Sequence, residues 1–307
     1  MEELIVKSSV DVNLLNMQNS YSPEELVKSS ISGYFNQIDD LVSEILNNPQ
    51  IKIILLAGPS SAGKTTTANM IKQGLINKNI PANVISMDDF FINREDTPKL
   101  PDGSYDFENV TTLDLDYFKK FTKEILEKRS AMMPRFNFIT GSRDGYEKLE
   151  IKKNGILIIE GIHALNPIVI DNSDAIYRVY VCLNSNFCID EKIVLPARKL
   201  RRIRRTIRDF YTRGMSIEQT VKIWQNVCDG EDKFIKPFKT NADFLIDSTH
   251  NCEPLIYKKY LPALLDGSKV SNEFENDLKE FCELDLKHLP DQCLLWEFLS
   301  GIKNNNL

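Results

Sequence analysis

The chain has 307 residues, room for two domains or for one large α/β domain with extensions. At 42% hydrophobic and 27% charged residues it is too apolar for a disordered chain, and a net charge of −6 argues against a nucleic-acid coat protein. Six cysteines without a CxxC pair, an acidic start (MEELIVKSSVDVNLL) and the lack of any apolar run near the roughly 18 residues of a membrane span point to a soluble cytoplasmic protein with reduced thiols.

Residues 1–21 show no clear period and read as a loose lead. Ser22-Pro23-Glu24-Glu25 then starts a helix, with Ser22 as cap, Pro23 at the first helical position and Glu25 completing a capping box. Val27, Ile31, Tyr34, Ile38, Leu41 and Ile45 give it one apolar face, which predicts packing on the body of the protein and not a free coiled-coil arm. Asn47-Asn48-Pro49 ends it. Ile51–Ala57 is a buried-strand pattern that runs into Gly58-Pro59-Ser60-Ser61-Ala62-Gly63-Lys64-Thr65 and a helix marked by Ala68, Ile71 and Leu75. Further strands are expected at Asn83–Ser86, Ile156–Ile159, Ile176–Cys182 and Asp243–Asp247, with helices at Leu113–Lys128 and Pro196–Tyr211 between them. This alternation means βαβ units: an α/β fold with a mainly parallel sheet covered on both faces. Residues 271–299 read as helical, with Phe274, Leu278 and Phe281 on one face and Leu294, Leu295 and Phe298 on another, and Asn304-Asn305-Asn306 as a frayed tail. The expected division is a lead and helix over 1–49, a P-loop domain over 50–265 and a helical extension over 266–307.

Gly58-x4-Gly63-Lys64-Thr65 fits GxxxxGK[ST] at every fixed position. Such glycines let the backbone over Gly58, Pro59, Ser60, Ser61, Ala62, Gly63, Lys64, Thr65 and Thr66 curl around phosphate oxygens, with every residue but Pro59 able to give an N–H, and the following helix adds its positive dipole end. Lys64 would reach the β- and γ-phosphates and the Thr65 hydroxyl would ligate Mg²⁺. Strand before and helix after are the context this motif requires.

A P-loop kinase also needs an acid at the metal and a base for the acceptor hydroxyl. Two acids stand where strands end: Asp88, after Val84-Ile85-Ser86-Met87, and Glu160, after Ile156–Ile159. In open α/β sheets these ends line the ligand crevice. Glu160 is the candidate to hold Mg²⁺ and Asp88 the candidate base, expected to stay ionised beside the metal; Asp89 reads as a turn cap. His163 reads as structural, and Trp224 and Trp296 as core or interface residues.

Residues 198–213, RKLRRIRRTIRDFYTR, hold seven arginines and one lysine against the single acid Asp209. Leu200, Ile203, Ile207 and Phe210 keep one face apolar, so the segment is an amphipathic helix, with Arg201, Arg205 and Arg208 together on another side. It could be a solvated basic face, an RNA-binding helix or a lid over transferring phosphates; the triphosphate cradle favours the lid, with Gly214 as hinge.

The motifs GPSSAGKTTT (58–67), SMDDFF (86–91), YDFENVTTLD (105–114), PRFNFITGSR (134–143), IIEGIHALNP (158–167), RRIRRTIRDFYTRG (201–214) and PFKTNADFLIDS (237–248), in this order, resemble the uridine kinase and phosphoribulokinase family, most of all the kinase half of long bacterial uridine-kinase-like proteins. The resemblance implies ATP- and Mg²⁺-dependent phosphorylation of a nucleoside 5′-hydroxyl. It puts Asp88 at the family's base position, Thr65 and Glu160 at metal positions, Asp106 at the acid for ribose hydroxyls, Arg205 at a substrate-contacting arginine, and Arg208 and Arg213 at lid arginines. Where the family reads a pyrimidine with tyrosine and histidine, this chain has Phe136 and Gly141; two further base-side positions carry Met215 and Ile223. Stacking on Phe136 or Phe138 remains available. The expected partner is a small-molecule acceptor, uridine or a related nucleoside, with neither membrane nor nucleic acid and with a homo-oligomer left open. The rival readings are a kinase for another alcohol, such as a sugar phosphate or pantothenate, and a nucleotide-gated RNA-binding regulator.

Overall fold

The computed structural model describes residues 8–304. The lead is ordered where it is described, contrary to expectation: Ser8–Asp11 forms β1 and Val12–Tyr21 forms α1, whose first turn is capped by the Asp11 carboxylate accepting from the N–H groups of Asn13 and Leu14. Helix α2, Pro23–Leu46, buries Val27, Ile31, Tyr34, Ile38, Leu41 and Ile45 as the spacing predicts. The capping box does not form, because Ser22 closes α1 through its N–H to the Gln18 carbonyl and makes no side-chain cap. The helix lies on the body: the Tyr34 hydroxyl meets Thr67 Oγ1 at 2.6 Å and Gln37 bonds the Asp247 backbone.

The centre of the molecule is a five-stranded parallel sheet in the order β10-β7-β2-β6-β3. Its strands are β2 (Ile53–Ala57), β3 (Ala82–Ser86), β6 (Ile156–Glu160), β7 (Ile176–Cys182) and β10 (Phe244–Asp247). Two smaller sheets, absent from the sequence reading, flank it. One is the antiparallel hairpin β4 (Ser130–Asn137) and β5 (Ser142–Glu150); the other joins β1, β8 (Ser185–Ile189) and β9 (Lys192–Leu195). The helices are α3 (Lys64–Asn77), α4 (Leu115–Lys128), α5 (Ala197–Arg213), α6 (Ile217–Phe234), α7 (Glu253–Leu264), α8 (Ser271–Leu278) and α9 (Trp296–Asn304). Both faces of the sheet are covered. On one, Ile54 and Leu56 meet a cluster built with α2, α3, α5, α7 and α9; on the other, Ile53 and Leu55 join Phe90, Phe118, Phe121 and Ile125. That division follows from the strand period of two.

The C-terminal stretch is not one helix. It breaks between α8 and α9, and Pro290, which has no N–H to donate, lies within the break. Phe274, Leu278, Phe281, Leu294, Leu295 and Phe298 are buried nonetheless. Asn305 and Asn306, expected to fray, lie outside the described residues.

Register aligns the strand ends. Glu160 pairs with Leu56 on one side and Ser86 on the other, so the loop after β2, the turn after β3 and the last residue of β6 emerge at one edge of the sheet.

Candidate active site

The phosphate loop, residues 58–63, links β2 to α3. A Cβ at Gly58 would stand 2.0 Å from the Val181 carbonyl oxygen, so only glycine lets the loop leave the sheet this close to β7. Gly63 takes φ +86° and hands the chain to α3, with Lys64 and Thr65 as its first residues. Lys64 Nζ folds back to the Pro59 carbonyl at 3.2 Å. Burial pushes its pKa down, opposed by Glu160 and Asp88. Thr65 Oγ1 donates to Glu160 Oε1 at 3.1 Å. This places two hard oxygen donors together, a set that suits Mg²⁺, which takes one or two protein oxygens and completes its shell with phosphates and water.

Asp88 lies in the turn Met87–Phe90, whose start is fixed by Ser86 Oγ accepting from the Asp88 N–H. Burial pushes the Asp88 pKa up, opposed by Lys64 and then Arg213. The direction is opposite to that expected from a neighbouring cation alone, because loss of water outweighs the two cations. Burial likewise raises Glu160, with Lys64 opposing. Asp89 accepts from the Phe136 N–H at 3.5 Å and ties the turn to β4. The Phe136 ring sits edge-on between Phe91, at 5.7 Å, and Phe138, at 5.3 Å.

Asp106 accepts from Asn109 within its own turn. Two residues on, Glu108 carries a buried oxygen, Oε2, without a hydrogen-bond partner; burial raises its pKa, and Arg205 and then Lys64 oppose the rise. The sequence does not single out Glu108: it lies in an irregular turn, where the alternation that sets side-chain direction in a strand does not apply.

Helix α5 spends most of its cations inside the molecule. Arg198 pairs with Asp232, Arg201 with Glu231, Arg202 with Glu273 and Asp277, and Lys199 with Asp277. Arg204 is fully buried against Glu253, at 2.7 Å through both Nε and Nη2. Arg201 therefore leaves the group to which its helical phase assigned it. The arginines that do gather are Arg205, Arg208 and Arg213, all around the fully buried Asp209. Arg205 Nη1 reaches Ser60 Oγ at 2.8 Å and Arg208 Nη2 reaches it at 3.5 Å, which brings the arginine helix onto the phosphate loop. Gly214 ends α5 at φ +64°, its N–H on the Asp209 carbonyl.

Helix α9 closes the other flank. The Leu294 side chain lies where a Cβ on Gly63 would fall, Thr66 Oγ1 donates to Glu297, Phe298 lies under the Arg204 guanidinium at 4.9 Å, and Tyr211 packs on Gly301. His163 is buried, and burial holds its pKa down to about 4, so the ring is neutral at pH 7. Trp224 carries the Arg201 guanidinium at 5.3 Å, and Trp296 donates to the Pro290 carbonyl.

A parallel sheet with this strand order, a GxxxxGKT loop opening a helix, and acids at the neighbouring strand ends define a P-loop kinase. Residues 53–253 match the family model described as the phosphoribulokinase / uridine kinase family, and the chain belongs to that family. It is 26% identical over 199 residues to a uridine kinase of Ureaplasma parvum serovar 3, covering 64% of this chain and 88% of the relative. It is 29% identical over 229 residues to a uridine kinase of Borrelia duttonii, covering 71% and 98%. A solved structure of a possible uridine kinase from Bacillus stearothermophilus is similar at 18% identity and a TM-score of 0.47, covering 69% of this chain and 98% of that one. The family makes the chain a phosphotransferase with an alcohol group as acceptor. No helix among the described residues is long and apolar enough to cross a membrane.

Proposed function

We propose that this kinase transfers the γ-phosphate of ATP to the 5′-hydroxyl of a nucleoside, uridine or a related pyrimidine nucleoside. The observation that carries the reading is the convergence at one sheet edge of Lys64, Asp88, the Thr65–Glu160 pair and the arginines that rest on Ser60. The backbone of residues 58–66, through the N–H groups of all but Pro59, holds the donor's phosphates, and Lys64 neutralises the outer ones. Asp88 orients the acceptor hydroxyl and takes its proton as the bond to phosphorus forms. The Nη groups of Arg205, Arg208 and Arg213 face the charge that builds on the transferring group. Thr65 and Glu160 would hold Mg²⁺, whose contribution is to offset phosphate charge. Arg205, Asp106 and Glu108 supply groups for the acceptor's sugar hydroxyls, and Phe136 an apolar face for its base.

A second reading, transfer to another small alcohol, is favoured by the base side. Phe136 offers an edge-packed ring and no hydrogen bond, so a polar base edge finds no reader there. The deciding experiment incubates the chain with Mg²⁺ and γ-labelled ATP against uridine, cytidine, adenosine, pantothenate and a set of sugar phosphates. Label on a nucleoside 5′-oxygen supports the proposal. Label on another alcohol, with none on any nucleoside, rejects the nucleoside and selects the second reading.

A further inference from the structure

Asp209 is the one acid in a helix of arginines, and its carboxylate is fully buried. A carboxylate so placed is costly unless it is paired, and three guanidinium groups share it. They meet it in a common way. Arg205 Nε stands 3.1 Å from Oδ2, Arg208 Nε donates to Oδ1 at 3.1 Å with Nη2 at 2.8 Å, and Arg213 Nε stands 3.5 Å from Oδ1. Each meets it through Nε, and Arg208 through Nη2 as well. Arg205 Nη1 points away from Asp209 onto Ser60 of the phosphate loop at 2.8 Å, and Arg208 Nη2, while held by Asp209, lies 3.5 Å from the same Ser60 oxygen.

Charge sharpens the point. Three like charges gathered around one oxygen pair repel each other, and burial together with that repulsion lowers the pKa of Arg205 and Arg213. Asp209 is the anion within contact of all three. With no phosphate in place, it is the group that keeps them together, and its single charge leaves an excess of about two positive charges for an incoming polyanion. The backbone does a related job: the Asp209 carbonyl accepts from the N–H groups of Gly214 and Met215, so the same residue sets where the helix ends and where Arg213 stands.

We infer that Asp209 is a positioning residue that holds the outer edges of Arg205, Arg208 and Arg213 ready for the terminal phosphate of the donor, without touching the donor itself. The inference rests on the phosphate-site reading proposed above. It makes a specific demand: Asp209 matters for the terminal phosphate and much less for the inner two, which the loop backbone holds.

The test measures dissociation constants for ATP and ADP, each with Mg²⁺, for the full chain and for Asp209→Asn and Asp209→Glu, with thermal melting as a check on folding. Asn keeps the shape and removes the charge; Glu keeps the charge and displaces it by one methylene. In D209N the preference for ATP over ADP should fall by about tenfold, the size of one lost charge-assisted contact, while ADP affinity changes by less than about threefold. D209E should fall between D209N and the wild type. If D209N does not fold, D209E alone carries the test, and an unchanged ATP-to-ADP ratio in D209E overturns the inference. Equal weakening of ATP and ADP, or no change in either, also overturns it, and leaves the phosphate-site reading standing. A wild-type chain that binds neither nucleotide overturns both.

Discussion

Thr65, at the start of α3, donates its hydroxyl to Glu160, the last residue of β6, at 3.1 Å. Two elements separated by nearly a hundred residues thus meet at the pair that, on the proposed function, would hold Mg²⁺. Glu160→Gln should raise the Mg²⁺ concentration for half-maximal transfer by about tenfold, with nucleotide affinity in the presence of saturating Mg²⁺ little changed. A Mg²⁺ titration of initial rates checks it.

Asp88→Asn removes the proposed proton acceptor and keeps the side chain's size. ATP binding should persist, and the transfer rate should fall by about 10² to 10⁴. Single-turnover kinetics with binding measured separately would show the split; a variant with normal turnover removes Asp88 from the base role. Lys64→Ala should weaken binding and transfer together.

The Arg204–Glu253 pair is the most enclosed ion pair described, both side chains being fully buried. Glu253 also accepts from the His250 N–H and from the Tyr257 hydroxyl. Glu253→Gln strands a guanidinium charge in the core, and should cost about 3–5 kcal/mol. Urea unfolding at pH 7 reads the loss directly.

His163 and His250 are both buried, and burial holds each near a pKa of about 4. An unfolded histidine takes up its proton near pH 6.5. Between these values the unfolded chain binds protons that the folded chain refuses. Their contribution to stability is complete above about pH 6.5 and is lost as the pH falls toward 4, by about 3 kcal/mol for each ring. The carboxyls of Asp88, Glu108 and Glu160, whose pKa desolvation raises, act with the opposite sign at the acid end. Comparison with His250→Gln isolates the histidine share: urea unfolding at pH 7, 6 and 5 should show a shallower fall in the variant, by about 1.4 kcal/mol per pH unit within the window.

The parts of this molecule that announce themselves in the sequence are local. A five-residue buried strand, two glycines at fixed spacing and a lysine specify the loop over residues 58–65, and the periods of α2 and α5 specify their apolar faces, except that Phe210, expected on the face of α5 with Leu200, Ile203 and Ile207, is exposed. What stayed hidden depended on distant partners or unmarked turns. The β8–β9 hairpin turns at Asp190 and Glu191, both with positive φ, and no glycine marks it. Helical phase grouped Arg201 with Arg205 and Arg208, but Glu231, on a different helix, draws Arg201 away, and Asp209, one turn along, brings Arg213 in. Glu297 meets Thr66 from the far end of the chain, a contact no local pattern encodes.

That last contact has a mechanical meaning. Helix α9 holds α3 through Glu297, the turn leading into α9 packs Leu294 on Gly63 at the start of α3, and α9 meets α5 through Phe298 and Gly301. It is a yoke between the element that carries the lysine and the element that carries the arginines. A swing of α5 would drag the C-terminal helix or tear it loose from α3, so a fluorescent dye fixed near residue 303 would report any such movement from outside the site.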